Sequence, residues 1–80
     1  MAISEQGNIY NIVGMNIKKY RKQKGLTQRE LAEAIFMSES FIAKLESVTF
    51  QTISIDTLDK IAHILDTPIM YFFDERINKK

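Results

Sequence analysis

Apolar positions recur along the chain with a helical period in four successive stretches. Val13, Ile17 and Tyr20 follow one another at spacings of four and three, and Gly25 stands where that stripe ends, as a C-terminal cap. Leu31, Ala32 and Ile35 form a second stripe. It is opened by Thr27-Gln28-Arg29-Glu30, a capping box in which the Thr27 hydroxyl meets an orphan amide and Glu30 reaches back to the Thr27 N–H. Ser38, three residues beyond Ile35, caps a third helix with Ile42 and Leu45 on its inner side, running to about Glu46. Ser54 opens a fourth, with Leu58, Ile61, Ala62 and Leu65 facing inward, and Thr67-Pro68 starts a short fifth as N-cap and first helical residue, dense in Ile69, Phe72 and Phe73. The predicted fold class is all-α, five helices around one core.

Between these stripes the chain divides simply. Residues 1–11 are polar without sustained periodicity and read as a flexible N-terminal arm. Residues 12–75 form one domain, and residues 76–80 read as a frayed tail. Ser47 to Ile53 makes an uncharged linker of seven residues. One Pro and three Gly in 80 residues leave little turn chemistry for a β-rich fold.

Charge is distributed unevenly, and this changes the picture more than the net +1 does. Asn16 to Arg29 carries six basic residues (Lys18, Lys19, Arg21, Lys22, Lys24 and Arg29) and no acid, whereas Glu30 to Glu75 carries nine acids against Lys44 and Lys60. One face is therefore suited to a polyanion. The absence of Cys excludes disulfides, thiolate metal sites and thiol nucleophiles, and fits a reducing cytoplasm, the expected location. No apolar run reaches membrane-spanning length, so no membrane role is expected. His63, the one histidine, falls opposite Leu58, Ile61 and Leu65 as a solvated residue, and no phosphate loop or carboxylate pair accompanies it. Neither an enzyme nor a cofactor, metal or obligatory small molecule is expected.

Two short helices joined by a tight turn inside a five-helix domain is helix-turn-helix geometry. The sequence resembles the phage-repressor/Cro type of helix-turn-helix domain, the XRE family, over roughly residues 13–73. The resemblance is carried by Ile17-Lys18-Lys19-Tyr20-Arg21, Gly25-Leu26-Thr27-Gln28-Arg29-Glu30-Leu31-Ala32, Ser38, Ile42, Lys44-Leu45-Glu46 and Ser54-Ile55-Asp56-Thr57-Leu58 through Ile61-Ala62 to Leu65. It implies a compact lambda-repressor-like domain that binds double-stranded DNA as a homodimer on a pseudo-palindromic operator and regulates transcription as a repressor or controller.

The same resemblance implies site residues. Glu39, Ser40 and Lys44 would contact bases: Lys44 donating to guanine, Ser40 serving several bases, Glu39 accepting from a cytosine amino group. Lys18, Arg21, Lys22, Gln28, Arg29, Ser38, Phe41 and Thr49 would contact the DNA backbone, with amides at the start of the second helix aiding Gln28. Arg21 and Glu46 would form a structural ion pair. Ile69, Met70, Tyr71 and Phe73 crowd the last helix with apolar surface and are expected at a dimer interface. A helical protein-interaction module, antitoxin-like and built on the same fold, is the rival reading, favoured by the acidic second half.

Two departures from the family pattern bear on the site. Phe36 stands where the turn between the second and third helices usually has Gly, so this turn must avoid positive φ or carry strain. The linker after Glu46 looks one residue longer than usual and lacks Gly and basic residues. Phosphate contacts there fall to backbone amides and to Thr49, Gln51 or Thr52, while Phe50 and Ile53 read as core plugs.

Overall fold

A computed structural model describes residues 9–47 and 51–78. Four α-helices follow in order: α1 (Ile9–Lys24), α2 (Gln28–Ala34), α3 (Glu39–Glu46) and α4 (Ile55–Ile64). The expected fifth helix is a 3-10 helix over Ile69–Phe73, and a second 3-10 segment covers Glu75–Asn78. The chain between Pro68 and Asp74 is thus only one tight turn and a half, too short to settle into α geometry.

The capping signals act locally, as the sequence indicates. The Thr27 hydroxyl accepts from the Glu30 N–H at 3.0 Å, while the Glu30 carboxylate accepts from the Thr27 N–H at 2.8 Å. Ser38 and Ser54 accept from the N–H groups of Phe41 and Thr57. Thr67 behaves differently from expectation. Its hydroxyl donates back to the Leu65 carbonyl at 3.0 Å, and Pro68 rather than Thr67 occupies the N-cap of the following 3-10 helix.

Three helices end in the same way. In α1, α2 and α4 a residue with left-handed backbone follows the last turn, namely Gly25 (φ 80°), Phe36 (φ 61°) and Asp66 (φ 54°). In each, the next residue's N–H reaches back five positions: Leu26 to Arg21, Met37 to Ala32, and Thr67 to Ala62, at 2.9–3.1 Å. This paired Schellman arrangement satisfies carbonyls that would otherwise lack partners. Phe36 therefore keeps the turn's shape and accepts the strained conformation.

Packing centres on Phe72, which is fully buried among Val13, Ile17, Leu31, Ile42, Leu58 and Ile61. Tyr20 meets the Phe72 ring edge-on, with centroids 5.9 Å apart. Every inward position assigned to the first four stripes is buried except Tyr20, which is half-buried. Phe73, unlike its neighbour Phe72, remains 39% exposed. At the N-terminal side α1 begins at Ile9, so Ile9–Asn11 belong to a helix rather than to an arm. At the other end Arg76, placed in the tail, lies in the second 3-10 segment, its N–H donating to the Asp74 carboxylate at 2.9 Å. The Arg76 side chain, and then that backbone bond, hold the Asp74 carboxyl below its ordinary value, and the Asp74 carboxylate raises the Arg76 guanidinium in turn.

Candidate nucleic-acid interface

The back of α3 is fixed by a polar junction at its C-terminal end. Arg21 of α1 donates to both oxygens of Glu46, Nε to Oε2 at 2.7 Å and Nη2 to Oε1 at 2.9 Å. Their side chains are 8% and 2% exposed, so the fork-on-carboxylate pair is shielded from water. Arg21 Nη1 also donates to the Leu26 carbonyl at 2.7 Å, tying in the α1–α2 connection. Gln28, the first residue of α2, completes the junction by donating from Nε2 to Glu46 Oε1 at 3.1 Å. Two turns earlier on α1, Gly14 lets the Leu45 carbonyl approach so closely that no Cβ would fit between them. Helix α3 is thus held against α1 at two points and against α2 at a third.

The opposite side of α3 is open. Glu39, Ser40 and Lys44 are exposed and Ala43 is half-buried, while Ile42 and Leu45 are inside. At 3.6 residues per turn, Lys18 lies close to the Gly14 and Arg21 direction of α1 and Lys22 about a quarter turn from it, and both are exposed. Lys19 lies on the other side, 5.1 Å above the Tyr20 ring. Arg29 on α2 is exposed and loosely paired with Glu33 at 3.4 Å. The result is a rigid rod with small and polar residues outward, flanked by cations from two other helices.

A helix-turn-helix family model matches residues 17–72, which include α2, α3, the turn between them and the whole polar junction. The chain belongs to the helix-turn-helix family. The transcriptional regulator SinR of Bacillus subtilis is 34% identical over 65 residues, covering 81% of this chain and 59% of SinR, so the chain spans about three fifths of that relative. SinR of Bacillus licheniformis is 32% identical over the same share. Among solved structures, SinR in complex with DNA superposes with a TM-score of 0.72 at 34% identity, covering 78% of this chain and 98% of that one. The clp gene regulator ClgR from C. glutamicum gives 0.77 at 28% identity, covering 84% of this chain and 85% of that one.

Within this helix-turn-helix, the residues assigned from sequence separate into groups. Glu39, Ser40 and Lys44 share the outer side of α3, and Ser38 caps it. The ion pair of Arg21 and Glu46 forms as expected. The Arg21 guanidinium, also assigned to the DNA backbone, is buried and donates to Glu46 and to the Leu26 carbonyl. Phe41 is half-buried, with one side packed against the core. Thr49 lies outside the described residues. Gln28 is half-buried, and its bond to Glu46 was not foreseen. Asn16, fully buried, was missed altogether; its Nδ2 donates to the carbonyls of Phe72 and Asp74, both at 2.9 Å, and so anchors the C-terminal 3-10 segment on α1. A polar residue inside the α1 stripe was the available signal. No helix among the described residues is long and apolar enough to cross a membrane.

Proposed function

We propose that this protein is a sequence-specific double-stranded DNA-binding transcriptional regulator, of repressor or controller type, that places α3 in the major groove. The observation that carries this reading is the face formed by Ser38, Glu39, Ser40 and Lys44, turned away from a helix that is pinned along its other side. A groove about 12 Å wide admits such a helix when small or polar residues lead it. SinR, solved with DNA, supplies independent support through its similarity. Glu39, Ser40 and Lys44 read bases; Lys18, Lys22, Gln28, Arg29 and Ser38 hold the backbone, and Thr49 joins them from the following linker.

The same reading extends to assembly. Met70, Tyr71 and Phe73 are 69%, 48% and 39% exposed on one short segment, with Ile69 half-buried beside them. Apolar surface of this density favours a two-fold homodimer contact, which would present two α3 helices to a pseudo-palindromic site in the cytoplasm. The protein acts by occupying its operator and needs neither catalysis nor a cofactor.

Selection of bound sequences from a random duplex library tests this directly. Enrichment of one motif, with half-sites about one helical turn apart, is the expected result. Recovery of no preferred sequence would overturn the reading and leave the fold as a protein-interaction module. A light-scattering mass of one chain at high micromolar concentration would overturn the dimer.

A further inference from the structure

The Gln28–Glu46 bond points to a role for Gln28 beyond holding the DNA backbone. We propose that Gln28 is a positioning residue whose carboxamide bridges a DNA phosphate and Glu46, so that a contact made by α2 sets the alignment of the reading helix α3. This inference rests on the DNA-binding function proposed above.

Glu46 is the last residue of α3, and its carboxylate receives three donors. Two come from Arg21, which is itself buried and tied to the Leu26 carbonyl. The third comes from Gln28. Of Glu46, Arg21 and Gln28, Gln28 alone is not buried. A carboxamide NH2 carries two hydrogens and its oxygen accepts; one hydrogen is directed at Glu46, which leaves the second for a phosphate oxygen. A single planar group can therefore hold both partners at once, and moving one moves the other.

Leverage makes this matter for base reading. Seven residues of α3 separate Glu46 from Glu39, roughly 10 Å at 1.5 Å per residue. A tilt of about 10° at the Glu46 end displaces the Glu39 end by about 2 Å, well beyond what a base hydrogen bond tolerates. Gly14 and Arg21 restrain this tilt toward α1, and Gln28 restrains it toward α2.

A glutamine that only touched phosphate would weaken every duplex alike, whereas a positioning glutamine alters discrimination. The test compares the Kd of wild type, Gln28→Ala and Gln28→Asn for the selected operator duplex and for a scrambled duplex of equal length and salt. Gln28→Asn keeps the carboxamide but is one methylene too short to reach Glu46. Both variants are expected to lower the operator-to-scrambled preference about tenfold, the scale of one lost base contact. Equal weakening on the two duplexes, with the preference held within twofold, would overturn the proposal while leaving DNA binding intact. In the free protein, the amide resonances of Ser38 to Lys44 are expected to shift in Gln28→Asn, with helicity by circular dichroism unchanged; resonances that do not move would also overturn it. If the library yields no operator at all, the DNA-binding function fails and this inference fails with it.

Discussion

The α-carbon of Gly14 lies directly against the backbone carbonyl of Leu45, so closely that a Cβ on residue 14 would overlap the carbonyl oxygen. Two opposing effects meet at this position. Mid-helix Gly→Ala normally stabilises by about 1 kcal/mol through propensity, but here the neighbour is backbone and cannot rotate away. Gly14→Ala should destabilise by about 3 kcal/mol, a large share of the ~4–12 kcal/mol expected for a domain this small. A urea titration decides it: a raised midpoint would show that α1 and α3 are not held at this distance.

Arg21 and Glu46 invite a prediction about pairs rather than singles. Removing either partner leaves a shielded charge uncompensated, and Arg21→Met or Glu46→Leu should each cost about 3–5 kcal/mol. The combined substitution removes both charges and places apolar groups in the gap, so it should be less destabilised than either single change. Losses that simply add in the double variant would refute the coupling.

How much of this was legible in the sequence depends on the range of each interaction. Thr27, Glu30, Ser38 and Ser54 bond within three residues, and composition with spacing identifies them unaided. The inward stripes of α1 to α4 are legible for the same reason, since periodicity is a local property. Arg21 and Glu46 are 25 positions apart, and only the family resemblance paired them. The partners of Gly14, Asn16 and Gln28 are not legible because each lies 18 to 58 positions away; a polar residue in the apolar stripe marks Asn16 as unusual without saying what it meets. The fifth helix was misjudged for a different reason. Ile69 to Phe73 is apolar enough for any helix, and apolar content does not reveal that a run of five residues takes 3-10 rather than α geometry.

Asn16 offers the clearest polar deletion. Its two bonds satisfy the carbonyls of Phe72 and Asp74 at the end of the core 3-10 helix. Asn16→Leu strands a buried carbonyl and should cost about 2 kcal/mol. Asn16→Asp should cost more, because the new carboxylate faces two carbonyl oxygens with no donor. Amide hydrogen exchange would locate the damage: Phe73 and Asp74 should exchange faster before the rest of the domain does. Uniform acceleration across α1 to α4 would contradict a local anchor.

Phe36 should be replaceable with profit to stability. It is 92% exposed at φ 61°, so its ring gains little from packing while its Cβ is strained by about 1–2 kcal/mol. Phe36→Gly relieves that strain and costs about 0.4–1 kcal/mol in unfolded-chain entropy. The net expectation is a gain of about 0.5–1 kcal/mol, seen as a Tm higher by roughly 4 °C. A lower Tm would mean that the ring is covered in solution.

Lys44 and Arg29 separate base reading from backbone holding. Both are exposed cations, but Lys44 projects from the middle of the reading face and Arg29 from the start of α2, beside Glu33. Lys44→Ala should weaken operator binding by about 1–3 kcal/mol and relax the preference at the base it contacts. Arg29→Ala should weaken operator and scrambled duplexes by similar factors, and lower the slope of log affinity against log salt by about 1. Ser40→Ala, which removes no charge, should leave that slope untouched while altering sequence preference. Binding measured across a salt series on both duplexes resolves all three. Should Lys44→Ala and Ser40→Ala both bind the operator as wild type does, the outer side of α3 is not the surface that meets the bases.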